Sequence, residues 1–330
     1  MRIGVIGLGA IGGVTAARLL RQPAGGEIVG LAAGRAAEAI RRSGLRVDGE
    51  PFVSPDQVGD TLPVEAAPYD LVLLCTRTDA LDQALASAAP LLAKDGAVVC
   101  LQNGLPEERA ARIVGAERVL GAVIGWSASM RAPGEYEITG AGKFTLGGAS
   151  PRLRQAEQVL LRVFPVKLTA NLAGARWSKL AMNCALSTLG AISGYDFGGL
   201  AASSAARRLA VRVIREAVAV ARAKGVRLER VAGIDPSWAT GSGPLPHLLI
   251  WLASRMRPRQ RSGMLRRLLA GLPAGQVDDV NGAVVTAARE CGLEAPLNAR
   301  LVDLVHSIER GEERIGPHQL ERVGAAAAGG

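Results

Sequence analysis

The chain has 330 residues, 48% hydrophobic and 21% charged but only 3% aromatic, with 41 glycines and a formal net charge of +9. That length allows one large or two ordinary domains around a real core, and a mean hydropathy of +0.20 excludes a mainly disordered chain. The longest uncharged run near the middle, Leu180 to Tyr195, contains Asn183 and is shorter than the roughly 18 residues of a membrane helix.

In chain order, Arg2–Ile6 reads as a buried strand and Ile11–Arg21 as a helix. Glu27–Ala33 is a second strand, Glu38–Ser43 is helical, Tyr69–Thr76 is a strand, Asp79–Leu92 a helix and Gly96–Gln102 a strand. This alternation predicts an α/β fold with a parallel sheet and right-handed crossovers. After Arg131 the pattern shifts to glycine-punctuated, antiparallel-looking pieces, Glu135–Thr139 and Lys143–Leu146, ending near Lys167. From Leu172 onward apolar residues recur at three- and four-residue spacing, which predicts helices over Arg176–Leu189, Ala202–Lys224, Pro244–Arg257, Val277–Cys291 and Ala299–Arg310. The two halves are expected to meet between Val166 and Ala173, giving domains over 1–168 and 169–330, the second all-helical, with a frayed tail over 324–330.

No signal-peptide pattern opens the chain. Four scattered cysteines (Cys75, Cys100, Cys184, Cys291) suggest neither a disulfide framework nor a zinc site, so a cytoplasmic protein without a metal is expected. The charge is unevenly placed: residues 1–170 carry 18 Lys/Arg against 17 Asp/Glu, and residues 171–330 carry 21 against 13. Six arginines with no acid between them (Arg255, Arg257, Arg259, Arg261, Arg266, Arg267) supply most of the excess. A nucleic-acid partner would call for a reading motif or stacking aromatics, and neither is present, so no nucleic acid is expected. No membrane partner is expected either. The alternative is surface attachment over 244–267, where Leu248-Leu249-Ile250-Trp251 precedes the basic cluster.

Gly7-Leu8-Gly9-Ala10-Ile11-Gly12 fits G-x-G-x-x-G. It follows an apolar strand and opens a helix, the setting that makes the pattern specific for a Rossmann-type dinucleotide-binding domain. Gly7 allows the tight turn, Gly9 a close approach of backbone to pyrophosphate, and Gly12 close helix–strand packing, while the helix N-terminus offers N–H groups to the phosphate charge. NAD sites place an acid at the end of the second strand. Here the chain reads Gly30-Leu31-Ala32-Ala33-Gly34-Arg35, with one arginine and no acid. A guanidinium suits the extra 2′-phosphate of NADP, which is therefore the expected cofactor. The alternative is that Arg35 merely caps the following helix start in solvent.

Several ordered blocks then resemble the ketopantoate reductases. Leu73-Leu74-Cys75-Thr76-Arg77 resembles a strand-end block of that family with arginine in the lysine place, and Leu101-Gln102-Asn103-Gly104 matches its L-Q-N-G. Gly121–Arg131 with Gly134 resembles the block after it. Trp177-Ser178-Lys179-Leu180-Ala181-Met182-Asn183 matches W-x-K-L-x-x-N, and Val280-Asn281-Gly282-Ala283-Val284 resembles the closing helix block. The resemblance implies a Rossmann domain followed by a helical domain with the active site between them. It also implies that Lys179 is the general acid, that Asn103 serves the nicotinamide and substrate side, and that Arg77 and Ser127 face the cofactor.

Lys179 and Asn183 are four apart on a predicted helix and share a face. A lysine there can deliver a proton to an oxygen that becomes an alkoxide as hydride reaches its carbon, and Asn183 can hydrogen-bond that oxygen or the substrate. Taken alone, the same spacing reads rather as a solvated lysine beside an unrelated asparagine, and it is the resemblance that reverses this; Asn103 before Gly104 also reads as a turn former. Trp177 and Met182 are expected in the core.

Four positions depart from the family pattern. Gln276 stands five residues ahead of Asn281 in place of a glutamate, keeping hydrogen-bonding reach without the charge. Gly263 replaces a serine, with Ser262 beside it, Ser187 replaces an asparagine and Arg267 an acid. Gln276 is expected near the cofactor, and Asn183, Ser187 and Ser262 near the substrate. The function implied is NADPH-dependent reduction of a small 2-oxo acid, 2-dehydropantoate to pantoate. The alternatives are a different oxo or imino substrate in specialised metabolism, or a non-catalytic NADP-binding module. A homodimer is left open.

Overall fold

The computed structural model describes residues 1–21, 28–31, 35–53, 58–59, 68–230, 233, 235–255 and 258–325. Glu27, Ala32, Ala33, Arg257, the side chain of Arg35 and the tail over 326–330 lie outside the described residues. The chain divides into two compact units, Met1–Leu172 and Ala173–Gly330.

The first unit runs β1 (Ile3–Ile6), α1 (Ala10–Leu20), β2 (Ile28–Leu31), α2 (Arg35–Ser43), β3 (Arg46–Val47), β4 (Val58–Gly59), β5 (Tyr69–Leu74), α3 (Leu81–Ala88), β6 (Leu92–Cys100), α4 (Pro106–Val114), β7 (Val119–Ile124), β8 (Ser127–Ala132), β9 (Glu135–Gly140), β10 (Phe144–Gly148), α5 (Leu153–Leu161) and β11 (Val166–Leu168). Among the described residues the main sheet has eight strands in the order β11-β10-β7-β6-β5-β1-β2-β4. All its pairs are parallel except β10 with β7. A smaller sheet, β3-β9-β8, carries Tyr136 against the first helix of the unit.

Helices cover both faces of the main sheet, so its central strands read as continuous apolar runs. Alternate residues feed two cores. Ile3, Val5, Leu71, Leu73, Ala97 and Val99 enter one; Ile6, Val72, Leu74, Val98 and Cys100 enter the other. Each Val, Leu or Ile side chain so withdrawn from water contributes about 1.5–3 kcal/mol. The register sets Ile6 beside both Leu31 and Leu74, and Leu74 beside Cys100, so the carboxyl ends of β2, β1, β5 and β6 share one edge. The order departs from β1 toward β2 on one side and β5 on the other, and a strand-order reversal of this kind is where open α/β sheets hold ligands.

The structure adds elements that the sequence pattern passes over. Gly121–Arg131, read only as a motif block, contains most of β7, whose six residues are all buried, and the start of β8. Antiparallel pairing therefore begins ahead of Arg131, at Leu120 where β7 meets β10 and at Ser127 where β8 meets β9. α4 starts with Pro106 at its first position and Glu107 and Glu108 in its first turn, both favourable helix-start features.

The second unit is helical: α6 (Leu172–Ser193, its first residue belonging to the first unit), α7 (Phe197–Ala202), α8 (Ser204–Ala223), α9 (Leu245–Arg255), α10 (Gly263–Leu269), α11 (Ala283–Glu290), α12 (Pro296–Glu309) and α13 (His318–Ala325). Asp196, Ser203 and Ser262 cap α7, α8 and α10, each accepting a backbone N–H three residues on. The helix expected over Val277–Cys291 is not uniform, because Asp278–Gly282 winds as a π-helical turn before α11. Such turns recur at functional sites.

Candidate active site

In the first unit each glycine of the loop has a distinct steric reason. Gly7 has φ +95°, and a Cβ there would stand 2.7 Å from the Thr76 nitrogen. A Cβ on Gly12 would stand 2.0 Å from the Gly7 carbonyl oxygen and 2.7 Å from the Cys75 Cβ. A Cβ on Gly9 would meet nothing within 4 Å, so the chain leaves open space there. Gly9 also starts α1 without a side-chain cap, and no acid lies in the first turn of that helix. Its first N–H groups are therefore free of the competitors that would repel or displace an anion.

The loop is braced from the small sheet. The Tyr136 ring lies where a Gly13 side chain would be. Its hydroxyl donates to the Leu8 carbonyl at 2.7 Å, and burial pushes its pKa up to about 12, so it remains a donor. Sequence reading missed this brace because Tyr136 is 128 residues from Leu8. Gly7, Gly9, Cys75, Thr76, Arg77, Asp79, Ala80 and Gln83 line an open depression of about 510 Å³. Burial raises the Cys75 thiol to about 12, so it is no nucleophile. Arg77 pairs with Asp79, its Nε donating at 3.1 Å.

Asn103 is half-buried just beyond β6, and Gly104 after it has φ +82°. Leu101 N–H donates to the Leu74 carbonyl at 3.0 Å and Gln102 Nε2 to Thr76 Oγ1 at 3.3 Å, so this turn is tied to the end of β5. Ser127 stands apart from the depression, at the start of β8, where its hydroxyl accepts from Thr139 at 3.0 Å. Leu8 is buried and Ala10 and Ile11 are half-buried.

In the second unit α6 is buried on nearly every side. Between Gly174 and Ser193 only Lys179, Met182, Asn183, Leu186 and Ser187 are not fully buried. Their spacing of three and four places them on one stripe. Lys179, Asn183 and Ser187 are thus brought together. Trp177 is in the core, but Met182, expected there, is half-buried on the same stripe. One helical turn separates it from Lys179, and in a helix apolar on nearly all sides packing partners decide which face stays open. Desolvation, then the nearby charge of buried Arg176, lowers the Lys179 pKa to about 7.

This helix is pinned by a buried polar network. Thr188 Oγ1 donates to Asn281 Oδ1 at 2.6 Å, and Asn281 Nδ2 donates to the Cys184 carbonyl at 3.1 Å and to Asn298 Oδ1 at 3.0 Å. Asn298 Nδ2 donates to Glu216 Oε2 at 2.8 Å, and the Glu216 carboxylate accepts the Leu297 and Asn298 N–H groups at the start of α12. The signal for Thr188 and Asn298 in the sequence is a polar side chain at an apolar-phase position of α6 and of α12. Ser262 is buried, its Oγ donating to the Ser187 carbonyl at 2.9 Å and capping α10, so its hydroxyl is a structural clamp on α6. Gln276 is half-buried two residues ahead of the π-helical turn.

The arginine-rich stretch is outward-facing: Arg255, Arg259, Arg261 and Arg266 are exposed, Arg255 lies 4.9 Å over the Trp251 ring, and Arg267 donates to the Pro273 carbonyl. Among the described residues no helix is long and apolar enough to cross a membrane.

Over both halves the chain is similar to one family of proteins. The family described as ketopantoate reductase PanE/ApbA matches residues 3–151, and its C-terminal companion matches residues 171–309. A 2-dehydropantoate 2-reductase of Pyrococcus horikoshii is 29% identical over 315 residues, 94% of this chain and 98% of that one. A PanE/ApbA family ketopantoate reductase from Ralstonia eutropha superposes with a TM-score of 0.81 at 27% identity, covering 95% of this chain and 100% of that one. D-mandelate dehydrogenase, solved with NADH and anilino(oxo)acetate, has the same fold, with a TM-score of 0.81 at 20% identity over 94% of this chain and 99% of that one. With family matches on both halves and a Rossmann-type sheet unit followed by a helical one, the chain is an oxidoreductase of the CH–OH/carbonyl pair and belongs to the ketopantoate reductase family.

Proposed function

We propose that this protein reduces a small 2-oxo acid with NADPH, 2-dehydropantoate to pantoate, and that Lys179 is the general acid. The observation that carries the reading is the α6 stripe, where a lysine with a pKa lowered to about 7 stands one turn from Asn183 on the open face of an otherwise buried helix. The names of the curated relatives support the substrate, and NADH in the D-mandelate dehydrogenase structure supports a nicotinamide dinucleotide.

The residues present fit such a cofactor, since the chain leaves open space at Gly9, uncapped N–H groups at the start of α1 and a depression beside them. The loop from Gly7 to Gly12 would hold the phosphates, through backbone groups of Leu8, Ala10 and Ile11 as well as the glycines. Arg77 and Arg35 would supply positive charge for a 2′-phosphate, and Asn103, Ser127 and Gln276 would serve the nicotinamide side. The dinucleotide, when bound, supplies the hydride that the carbonyl carbon receives. Lys179 gives its proton to the carbonyl oxygen, and its pKa near neutrality lets it do so and be recharged from water. Asn183 and Ser187 hydrogen-bond the substrate and hold it toward the lysine. The four free cysteines accord with a reducing cytoplasm, where we place the protein.

The test is NADPH oxidation with 2-dehydropantoate and a panel of 2-oxo acids, comparing the native enzyme with Lys179→Ala. Turnover that depends on Lys179 is expected. An absence of turnover on every acid, with NADPH still bound, would refute the reductase reading. A tenfold preference for NADH would refute NADP.

A further inference from the structure

The five open positions of α6 beyond Ala173 form two rows. Lys179, Asn183 and Ser187, four apart, make a polar row; Met182 and Leu186, also four apart, make an apolar row beside it. From Lys179 to Ser187 the stripe extends about 12 Å at 1.5 Å per residue, the scale of one small organic acid. It closes at both ends, with Arg176 buried one turn before and Gly190 buried one turn beyond.

The stripe is held from behind. The carbonyls of Cys184 and Ser187 accept side-chain hydrogen bonds from Asn281 and Ser262, and Thr188 is bonded to Asn281. The helix therefore cannot roll to trade its apolar row for its polar one without breaking buried hydrogen bonds. Burying Met182 and Leu186 completely would be the default for such side chains in a helix this enclosed. Their partial exposure beside the lysine calls for an apolar group to cover them.

We propose that Met182 and Leu186 are specificity-determining residues, forming an apolar wall that selects 2-oxo acids branched at C3. The inference rests on the reductase reading above and deepens it. With the carbonyl and carboxylate oxygens on the polar row, the C3 substituents fall against the apolar row, where each methyl removed from water favours the branched substrate.

The experiment compares kcat/KM, with NADPH, for 2-dehydropantoate and for its C3-unbranched counterpart 4-hydroxy-2-oxobutanoate. The measurements are made in the native enzyme, Leu186→Ala, Met182→Ala and the conservative Leu186→Met. The ratio of the two constants is independent of the fraction of folded enzyme, so partial misfolding of a variant does not mimic the effect. We expect the native enzyme to favour the branched acid by at least tenfold, each alanine variant to shrink that ratio at least threefold, and Leu186→Met to keep it. A native ratio near one, or a ratio unchanged in both alanine variants, overturns the wall while leaving the reductase intact. Absence of Lys179-dependent turnover of either acid overturns the underlying reading as well, so the two failures are distinct.

Discussion

The loop at the start of the first unit and the open stripe of the second solve different problems with different materials. The loop is made of backbone: Gly7, Gly9 and Gly12 remove side chains so that main-chain groups can pack or stay open. The stripe is made of side chains on one helix, and its orientation depends on Asn281, Asn298, Thr188 and Ser262, drawn from positions up to 119 residues from Lys179. A backbone site is fixed by local conformation. A side-chain site of this kind is only as well placed as the network behind it.

The largest effect expected is on the stripe. Lys179→Ala should lower kcat by roughly 10²–10⁴ while leaving NADPH affinity within a few-fold, because the loop does not depend on it; stopped-flow binding and steady-state rates check both halves. Gly12→Ala should show the reverse pattern. Its Cβ would clash with the Gly7 carbonyl, so NADPH binding should be lost in a fluorescence titration, with a stability cost of about 1–3 kcal/mol.

Asn281→Ala tests whether the network is what places the stripe. It strips partners from Thr188, Asn298 and the Cys184 carbonyl and should cost about 1–3 kcal/mol in a urea melt. If the stripe depends on it, KM for the oxo acid should rise while NADPH affinity holds. Equal kinetics in a well-folded Asn281→Ala enzyme would show that the comparison is overdrawn.

pH separates the two regions more gently. With its pKa lowered to about 7, Lys179 loses its proton above neutrality, so kcat/KM for reduction should fall as pH rises beyond about 7 and recover in the reverse direction of reaction. The linkage has the matching sign. Between about 7 and the ordinary lysine value near 10.4 the unfolded chain holds a proton that the folded one has lost, so this group makes the fold more stable as pH rises through that window. Lys179→Met should therefore raise Tm at pH 6, with a gain that shrinks toward pH 10.

The smallest effect concerns His306. It bridges Asp278 at 3.0 Å and Glu309 at 2.7 Å. Burial acts to lower its pKa, but hydrogen bonds to those two carboxylates raise it above its ordinary value overall. The stabilisation is full below the unfolded pKa and is lost as pH rises through the higher folded value. His306→Gln should cost under about 1 kcal/mol, and only on the acid side, as read by pH-dependent thermal melts.

Much of the first unit was legible because its signals are local. An apolar strand, a glycine loop and a helix follow one another within twenty residues, and each neighbour confirms the last. Short elements were lost for the opposite reason: α4, β7 and α10 offer too few turns or alternations to show a period, and β7 reads as one more apolar run. The family pattern places Ser262 near the substrate; a serine just ahead of Met264-Leu265 also spells a helix cap, and its hydroxyl accepts the Leu265 N–H while donating to the Ser187 carbonyl.

The pairing of Lys179 with Asn183 follows from helical spacing alone, so the sequence by itself determined that both share a face, just as the glycine spacing determined a turn, an open position and a close contact. Which face of α6 stays open was decided only by the tertiary structure. Every side of that helix is rich in apolar residues, so periodicity marks no preferred direction, and Met182 reads as core. Packing partners far along the chain, with Asn281 and Ser262 bonded to its carbonyls, leave one stripe of five residues uncovered. Local geometry sets which residues travel together, and long-range contacts set where they point.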